Sequence, residues 1–327
     1  MQNSQLTTYK NYGLNCMDTA CCVHLKATKK PIKLVRILKR RKDENMLGIT
    51  CEGGGSRTIY SCGVLDVLLE EKIIADYFIG VSAGIAFGVS YCSNQIGRNL
   101  NLATKFMNSQ KYSGIKHLFK PKNRSYYNMD YVYETIPNVE LPFDFDAFAD
   151  FKGEVIATVT NVKTGKAEYL PVPRDDRKFT YLRASCALPL LFPEIEIGGE
   201  KYLDGGIADS IPYMQSLNFG CDKNIIILTR PQDYIKEDEP ATKLAVRKYK
   251  KYPEFCEAME TRAKRYNQCI EEIKQLKSEG KVFVFTPKST FNVGRTEGNP
   301  VKLKRLYEHG YNHAKWALDD LKKYLSK

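Results

Sequence analysis

Histidine is scarce in this chain. Of 327 residues only His24, His117, His309 and His313 carry an imidazole, which leaves few sites for histidine-based acid–base chemistry or metal binding. His309 and His313 stand four apart, as two zinc ligands on a helix would. Neither a Glu-x-x-His frame nor a third ligand accompanies them, and no metal or cofactor is expected. Long apolar runs are also missing. No stretch of 18 apolar residues exists, so no membrane span is expected, and residues 1–45 lack the apolar core of a secretory signal. Ten cysteines are many, but a chain of this length does not need disulfides for stability. Cys51, Cys62, Cys92 and Cys186 sit in apolar or motif segments, as reduced buried thiols do. Cys16, Cys21 and Cys22 lack zinc-site spacing. A reducing, cytoplasmic setting is the expectation.

The net charge of +12 is uneven. Residues 1–45 hold ten Lys/Arg against Asp18, Asp43 and Glu44, a surplus of +7 that leaves +5 for the remaining 282 residues. The body is therefore not basic enough to suggest a nucleic-acid partner. Residues 1–45 read as a basic arm. Lys26 to Lys42 interleaves cations with Ile32, Leu34, Val35, Ile37 and Leu38, a pattern that suits peripheral contact with an anionic membrane. A disordered leader, or a start assigned too early with Met46 as the true initiator, is the favoured alternative.

From Met46 the pattern becomes that of a folded domain. Met46 to Cys51 reads as a buried strand, followed by Gly53-Gly54-Gly55-Ser56-Arg57 and a helix over about Thr58 to Lys72. Consecutive glycines between a strand and a helix leave backbone N–H groups uncovered, as an anion cradle or oxyanion hole requires. A plain flexible turn remains open as well. Neither G-x-G-x-x-G nor Walker A spacing is present.

Asp76 to Ile79 is strand-like and Ala83 to Tyr91 helix-like. Between them, Gly80-Val81-Ser82-Ala83-Gly84 would hold a serine on a sharp turn with its hydroxyl projecting. A Gly/Ser-rich turn without chemistry is the competing reading. Residues 95–150, rich in Asn, Lys, Tyr and Phe, suggest a helical and loop insertion that packs or rims a pocket.

Further strands are expected over 154–160, 167–170, 195–203 as a hairpin, 224–229 and 281–287. Helices are expected over 180–188, 241–279 and 301–325. Asp204-Gly205-Gly206 closes the hairpin, where Asp204 is either a turn residue or a general base. Alternating strands and helices imply one α/β domain with a mostly parallel sheet.

The glycine-rich loop, the Gly80–Gly84 turn and Asp204-Gly205-Gly206, in this order, resemble the patatin-like phospholipase family. The resemblance runs from Met46 to the C-terminus and takes in Ala184 to Pro189 and Phe192-Pro193. Tyr252-Pro253 and Leu306 to Tyr311 are similar to a bacterial branch of it. Thr58 departs from the glycine usual after the basic residue of the loop.

The resemblance implies a three-layer α/β/α fold over 46–327 and a serine acyl hydrolase using a Ser-Asp dyad. Ser82 would be the nucleophile and Asp204 the base, with Gly80 and Gly84 shaping the elbow. The oxyanion hole would come from Gly53, Gly54, Gly55, Ser56 and Arg57. The substrate would be a phospholipid or another acyl ester. Arg57 has two readings, a sensor of lipid phosphate or the brace of its loop through a salt bridge, with the brace favoured. A catalytically quiet lipid-binding or regulatory protein and a histidine-dependent hydrolase are the rival readings.

Overall fold

The computed structural model describes residues 45–119 and 124–327. The expectations placed on residues 1–44, His24 and the arm's membrane contact included, lie outside the described residues. The chain proceeds β1 (Leu47–Cys51), α1 (Ile59–Glu70), β2 (Tyr77–Val81), α2 (Ala83–Cys92), α3 (Arg98–Lys105), α4 (Phe145–Asp150), β3 (Glu154–Asn161) and β4 (Ala167–Pro171). It continues with α5 (Thr180–Cys186), β5 (Ile195–Ile197), β6 (Glu200–Asp204), α6 (Tyr213–Phe219) and β7 (Lys223–Ile227). The last elements are α7 (Ala241–Lys248), α8 (Pro253–Glu260), α9 (Arg262–Ser278), β8 (Phe283–Phe285), α10 (Pro300–Trp316) and α11 (Leu318–Leu325).

Eight strands form one sheet in the order β5-β6-β3-β2-β1-β7-β8, with β4 paired to β3. The pairs β3–β2, β2–β1, β1–β7 and β7–β8 are parallel. Parallel strands covered on both faces read as continuous apolar runs, as Leu47–Cys51 and Tyr77–Val81 do. Successive residues serve opposite faces. Ile49, Phe78, Ile225 and Ile227 join the cluster made with α1, α2 and α10. Ile226 and Val284 pack instead with Tyr266 and Ile273 of α9, and Tyr77 and Ile79 pack with Cys221. The result is three layers, α/β/α.

On the first face α1 and α10 touch backbone to backbone. A Cβ on Gly63 would strike the Tyr307 carbonyl, and one on Gly310 the Tyr60 carbonyl. Only glycine allows that separation.

Register along β3 places the site. β2 pairs with the first half of β3, ending at Val81 opposite Thr158. β4 occupies the other edge over Ile156 to Thr160. β2 stops because the chain turns at Ser82, and β6 takes the freed edge antiparallel, with Asp204 opposite Val159. Asp204 thus occupies the position on β3 next beyond the end of β2.

Several expected elements are shorter or divided. The helical region expected over 241–279 is three helices, interrupted where Pro253 starts α8 and again at Thr261. The helix expected over 301–325 breaks at Ala317, whose φ −87, ψ 4 leaves helical geometry. The strand expected over 281–287 is Phe283–Phe285, just ahead of Pro287, which has no N–H to offer a ladder. Within the irregular insertion, Tyr131–Glu140 is a π-helix enclosing Pro137. A proline cannot make the normal i→i−4 bond, and a wider turn accommodates it. Residues Asn45–Lys327 form one unit.

Candidate active site

Ser82 lies between β2 and α2 with φ 54, ψ −130, a backbone conformation that costs a non-glycine residue about 1–3 kcal/mol. The elbow tolerates nothing larger than glycine on either side. A Cβ on Gly80 would meet the Gly84 and Ile85 backbone, and one on Gly84 would meet the Cys51 and Glu52 carbonyls. The Ser82 amide donates to Ser185 Oγ at 2.8 Å, and Ser185 Oγ donates to the Thr158 carbonyl at 2.7 Å. Ser185 therefore fastens the elbow to β3, a role its place in the sequence did not disclose.

Ser82 Oγ donates to Asp204 Oδ2 at 2.6 Å. The other carboxylate oxygen accepts the Gly206 amide at 2.8 Å, and Thr160 Oγ1 donates to the Asp204 carbonyl at 2.9 Å. Asp204 is 2% exposed. Burial pushes its carboxyl above the ordinary range, partly offset by the Ser82 hydroxyl, Arg262, the Gly206 amide and Arg295.

The glycine-rich loop lies against this elbow, since a Cβ on Gly53 would come within 2.9 Å of Ser82 Cβ. Of the five residues expected to form the cradle, two have their amides engaged. Ser56 N–H donates to the Arg295 carbonyl at 2.8 Å and Arg57 N–H to the Gly54 carbonyl at 3.3 Å. The amides of Gly53, Gly54 and Gly55 have no acceptor among the described residues. Thr58 sits where the family has glycine with φ −61, ψ −11, an ordinary right-handed conformation that any side chain can adopt.

Arg57 is 7% exposed and its Nε has no hydrogen-bond partner. The expected bracing salt bridge is not formed among the described residues. Burial first, then the neighbouring Arg230 and Arg295, lowers its pKa to about 10.

Ser82 and Asp204 open into a cavity of about 160 Å³ with two unlike walls. One is mostly apolar, with Phe87, Leu102, Ile136, Phe143, Phe179 and Leu182, and with Arg98 lying over the Phe143 ring and donating to the Leu141 carbonyl. Much of it comes from the insertion between α2 and β3, so the expected rim is part of the pocket. The other wall carries Arg57, Arg230, Lys236, Arg262 and Arg295. Cys186, expected to be buried, is half-buried in the cavity lining because α5 ends there. The other expected thiols, Cys51, Cys62 and Cys92, are buried.

No histidine among the described residues lines this cavity. His313 Nδ1 shares a 2.6 Å hydrogen bond with Tyr60 OH, and burial lowers its pKa to about 4. His309 Nε2 accepts the Lys288 amide at 3.1 Å. The pair is half-buried and packs tilted or edge-on against Tyr60 and Phe285 or Phe291. His117 is buried on the Gln110 carbonyl.

A family model described as patatin-like phospholipase matches residues 49–217, just over half of the chain and the whole Ser82–Asp204 span. The chain belongs to the patatin-like phospholipase family. Residues 252–326 of this family member match a second model, described as a domain of unknown function (DUF6363). An uncharacterized protein of Escherichia coli (strain K12), YjjU, is 26% identical over 193 residues, 57% of this chain and 52% of that protein. Lysophospholipase nte1 of Aspergillus terreus is 27% identical over 212 residues, 60% of this chain and 13% of that protein. The chain thus spans about half of one relative and a small part of the other. The solved structure of VipD from Legionella pneumophila aligns with a TM-score of 0.41 at 16% identity, covering 85% of this chain and 67% of that one.

Proposed function

We propose that this patatin-like protein is a lipid acyl hydrolase that cleaves carboxylic esters through a Ser82–Asp204 dyad without metal. The observation that carries this reading is the 2.6 Å hydrogen bond from a strained elbow serine to a buried carboxylate beside three uncommitted glycine amides.

Asp204 Oδ2 accepts the hydroxyl proton as Ser82 Oγ attacks the ester carbonyl. Burial makes this carboxylate a stronger base than a solvated one. The amides of Gly53, Gly54 and Gly55 hold the oxyanion, and each such donor is worth on the order of 3 kcal/mol in the transition state. Protonated Asp204 then returns the proton to the leaving alkoxide. Water, deprotonated by the same carboxylate, attacks the acyl-enzyme and restores Ser82. The apolar wall seats the acyl chain. Substrates held in bilayers would bring the protein peripherally to a membrane surface. The lysophospholipase named among the relatives supports a lipid ester as substrate.

Ester hydrolysis measured on medium-chain p-nitrophenyl esters and on lysophospholipid tests this. Ser82→Ala is expected to fall to the uncatalysed rate, and Asp204→Asn to lower kcat/KM by roughly 10²–10⁴-fold. No turnover by the wild type, with lipid binding intact, would favour a quiet lipid-binding protein. Retained turnover in Ser82→Ala would remove the dyad.

A further inference from the structure

Four of the five cations on the polar wall come from outside the patatin-family match. Arg230 and Lys236 lie in the stretch after β7. Arg262 starts α9 and Arg295 precedes α10, both in the segment matched as a domain of unknown function. Two of these residues hold the loops that flank the dyad. Arg262 Nε donates to the Gly206 carbonyl at 2.5 Å, two residues from Asp204, and the Arg295 carbonyl holds the Ser56 amide of the glycine loop.

The wall is short of negative charge. Glu239 accepts Arg295 at 2.6 and 3.1 Å, and it also serves Lys236 at 3.4 Å and Arg262 at 3.5 Å. One carboxylate therefore faces three cations, which hold its pKa down to about 2 despite burial. The two carboxylates in the cavity lining are taken. Glu52 accepts the Thr229 amide and Tyr266 OH, and Asp204 accepts Ser82 and Gly206. Arg57 and Arg230 have no ion pair among the described residues. Arg57 is more than nine-tenths buried with its Nε unpartnered in the cavity lining. Burial together with Arg262 and Arg295 lowers Lys236 to about 8.

A fold keeps like charges together when an anion joins them, and the forked donors of arginine match phosphate oxygens. We propose that Arg230, Lys236, Arg262 and Arg295, with Arg57 behind them, form a subsite for a phosphate group carried by the acyl-ester substrate. The C-terminal segment then supplies headgroup selectivity to a dyad built by the first segment. The assignment rests on reading the pocket as an acyl-hydrolase site. It adds that an ester bearing a phosphate near its carbonyl is preferred over a neutral ester of equal chain length.

The test is equilibrium binding to full-length Ser82→Ala of an ether-linked pair that cannot be hydrolysed, 1-O-octylglycerol 3-phosphate and 1-O-octylglycerol. Inorganic phosphate serves as competitor. The phosphate-bearing ether is expected to bind roughly ten- to 100-fold more tightly, the value of one or two charge-assisted hydrogen bonds. That preference is expected to shrink roughly tenfold in each of the variants Arg230→Gln and Lys236→Gln in the Ser82→Ala background. Equal affinity for the two ethers, or a preference untouched in both variants, overturns the subsite. Displacement by inorganic phosphate at the same concentration as the ether phosphate overturns the headgroup assignment and makes the wall a free-anion site. Because nothing turns over, the result is separable from the dyad. Ester hydrolysis without phosphate preference would leave the dyad and remove the subsite, and the reverse pattern would do the opposite.

Discussion

Asp204 is held between opposing influences. Burial raises its pKa above the ordinary 3.8, and the hydroxyl of Ser82, Arg262, the Gly206 amide and Arg295 pull it back without cancelling the rise. In the proposed mechanism Asp204 acts as base only when ionised, so kcat/KM is expected to climb with pH through a value above the ordinary aspartate range. Removing a nearby cation with Arg262→Gln should move that limb to higher pH. A rate flat from pH 4 upward, or a shift of the limb to lower pH, would contradict this. The stability sign is opposite. A carboxyl raised in the folded state contributes stability below pH 3.8 that is lost as pH rises through the folded value. Ser82, Asp204 and Gly53–Gly55 were legible in the sequence because their residue types and local turns carry the signal. Ser185 and Arg230 were not, because the first matters through one long-range contact and the second through the charges gathered around it.

At the scale of elements, the first helical layer is tied by one carboxylate. Asp66 of α1 accepts Tyr307 OH of α10 at 2.6 Å and the amide of Gly97, which caps α3, at 2.8 Å. Burial, more than any neighbour, raises its pKa to about 6. The folded state therefore holds this proton more tightly than the unfolded chain. The associated stability is complete below the ordinary 3.8 and is lost as pH rises toward about 6. The change is about 3 kcal/mol. Asp66→Asn keeps an acceptor but cannot ionise. Urea unfolding between pH 3.5 and 7 should show the variant gaining about that amount relative to wild type as pH rises. Parallel curves for the two proteins would contradict it. Strands such as β1, β2 and β7 were readable as short apolar runs, and the β5–β6 hairpin was expected over 195–203. The pairing of β6 with the free edge of β3 was not readable, because it depends on where β2 ends rather than on any feature of β6. The break of the 241–279 region was foreseeable at Pro253. That of the last helix at Ala317 had no such marker.

At the largest scale, two family matches divide Asn45–Lys327, which packs as one unit. β8 extends the sheet beside β7, α10 covers α1, and Arg262 and Arg295 enter the pocket of the Ser82–Asp204 dyad. The mostly parallel α/β sheet followed from strands alternating with helices, the three layers were implied by the family resemblance, and the dyad reading was sharpened by the shortage of histidine. The cation wall escaped notice because its residues lie far apart in sequence and none belongs to a motif. No helix among the described residues is long and apolar enough to cross a membrane.

The central claim is that Ser82 is the nucleophile and Asp204 activates it. Fluorophosphonate labelling of the full chain, with the modified residue located by peptide mass spectrometry, tests it most directly. The account predicts a single adduct on Ser82, abolished in Ser82→Ala and slowed by roughly 10²-fold or more in Asp204→Asn. An adduct on another residue, or labelling of Asp204→Asn at the wild-type rate, would contradict it.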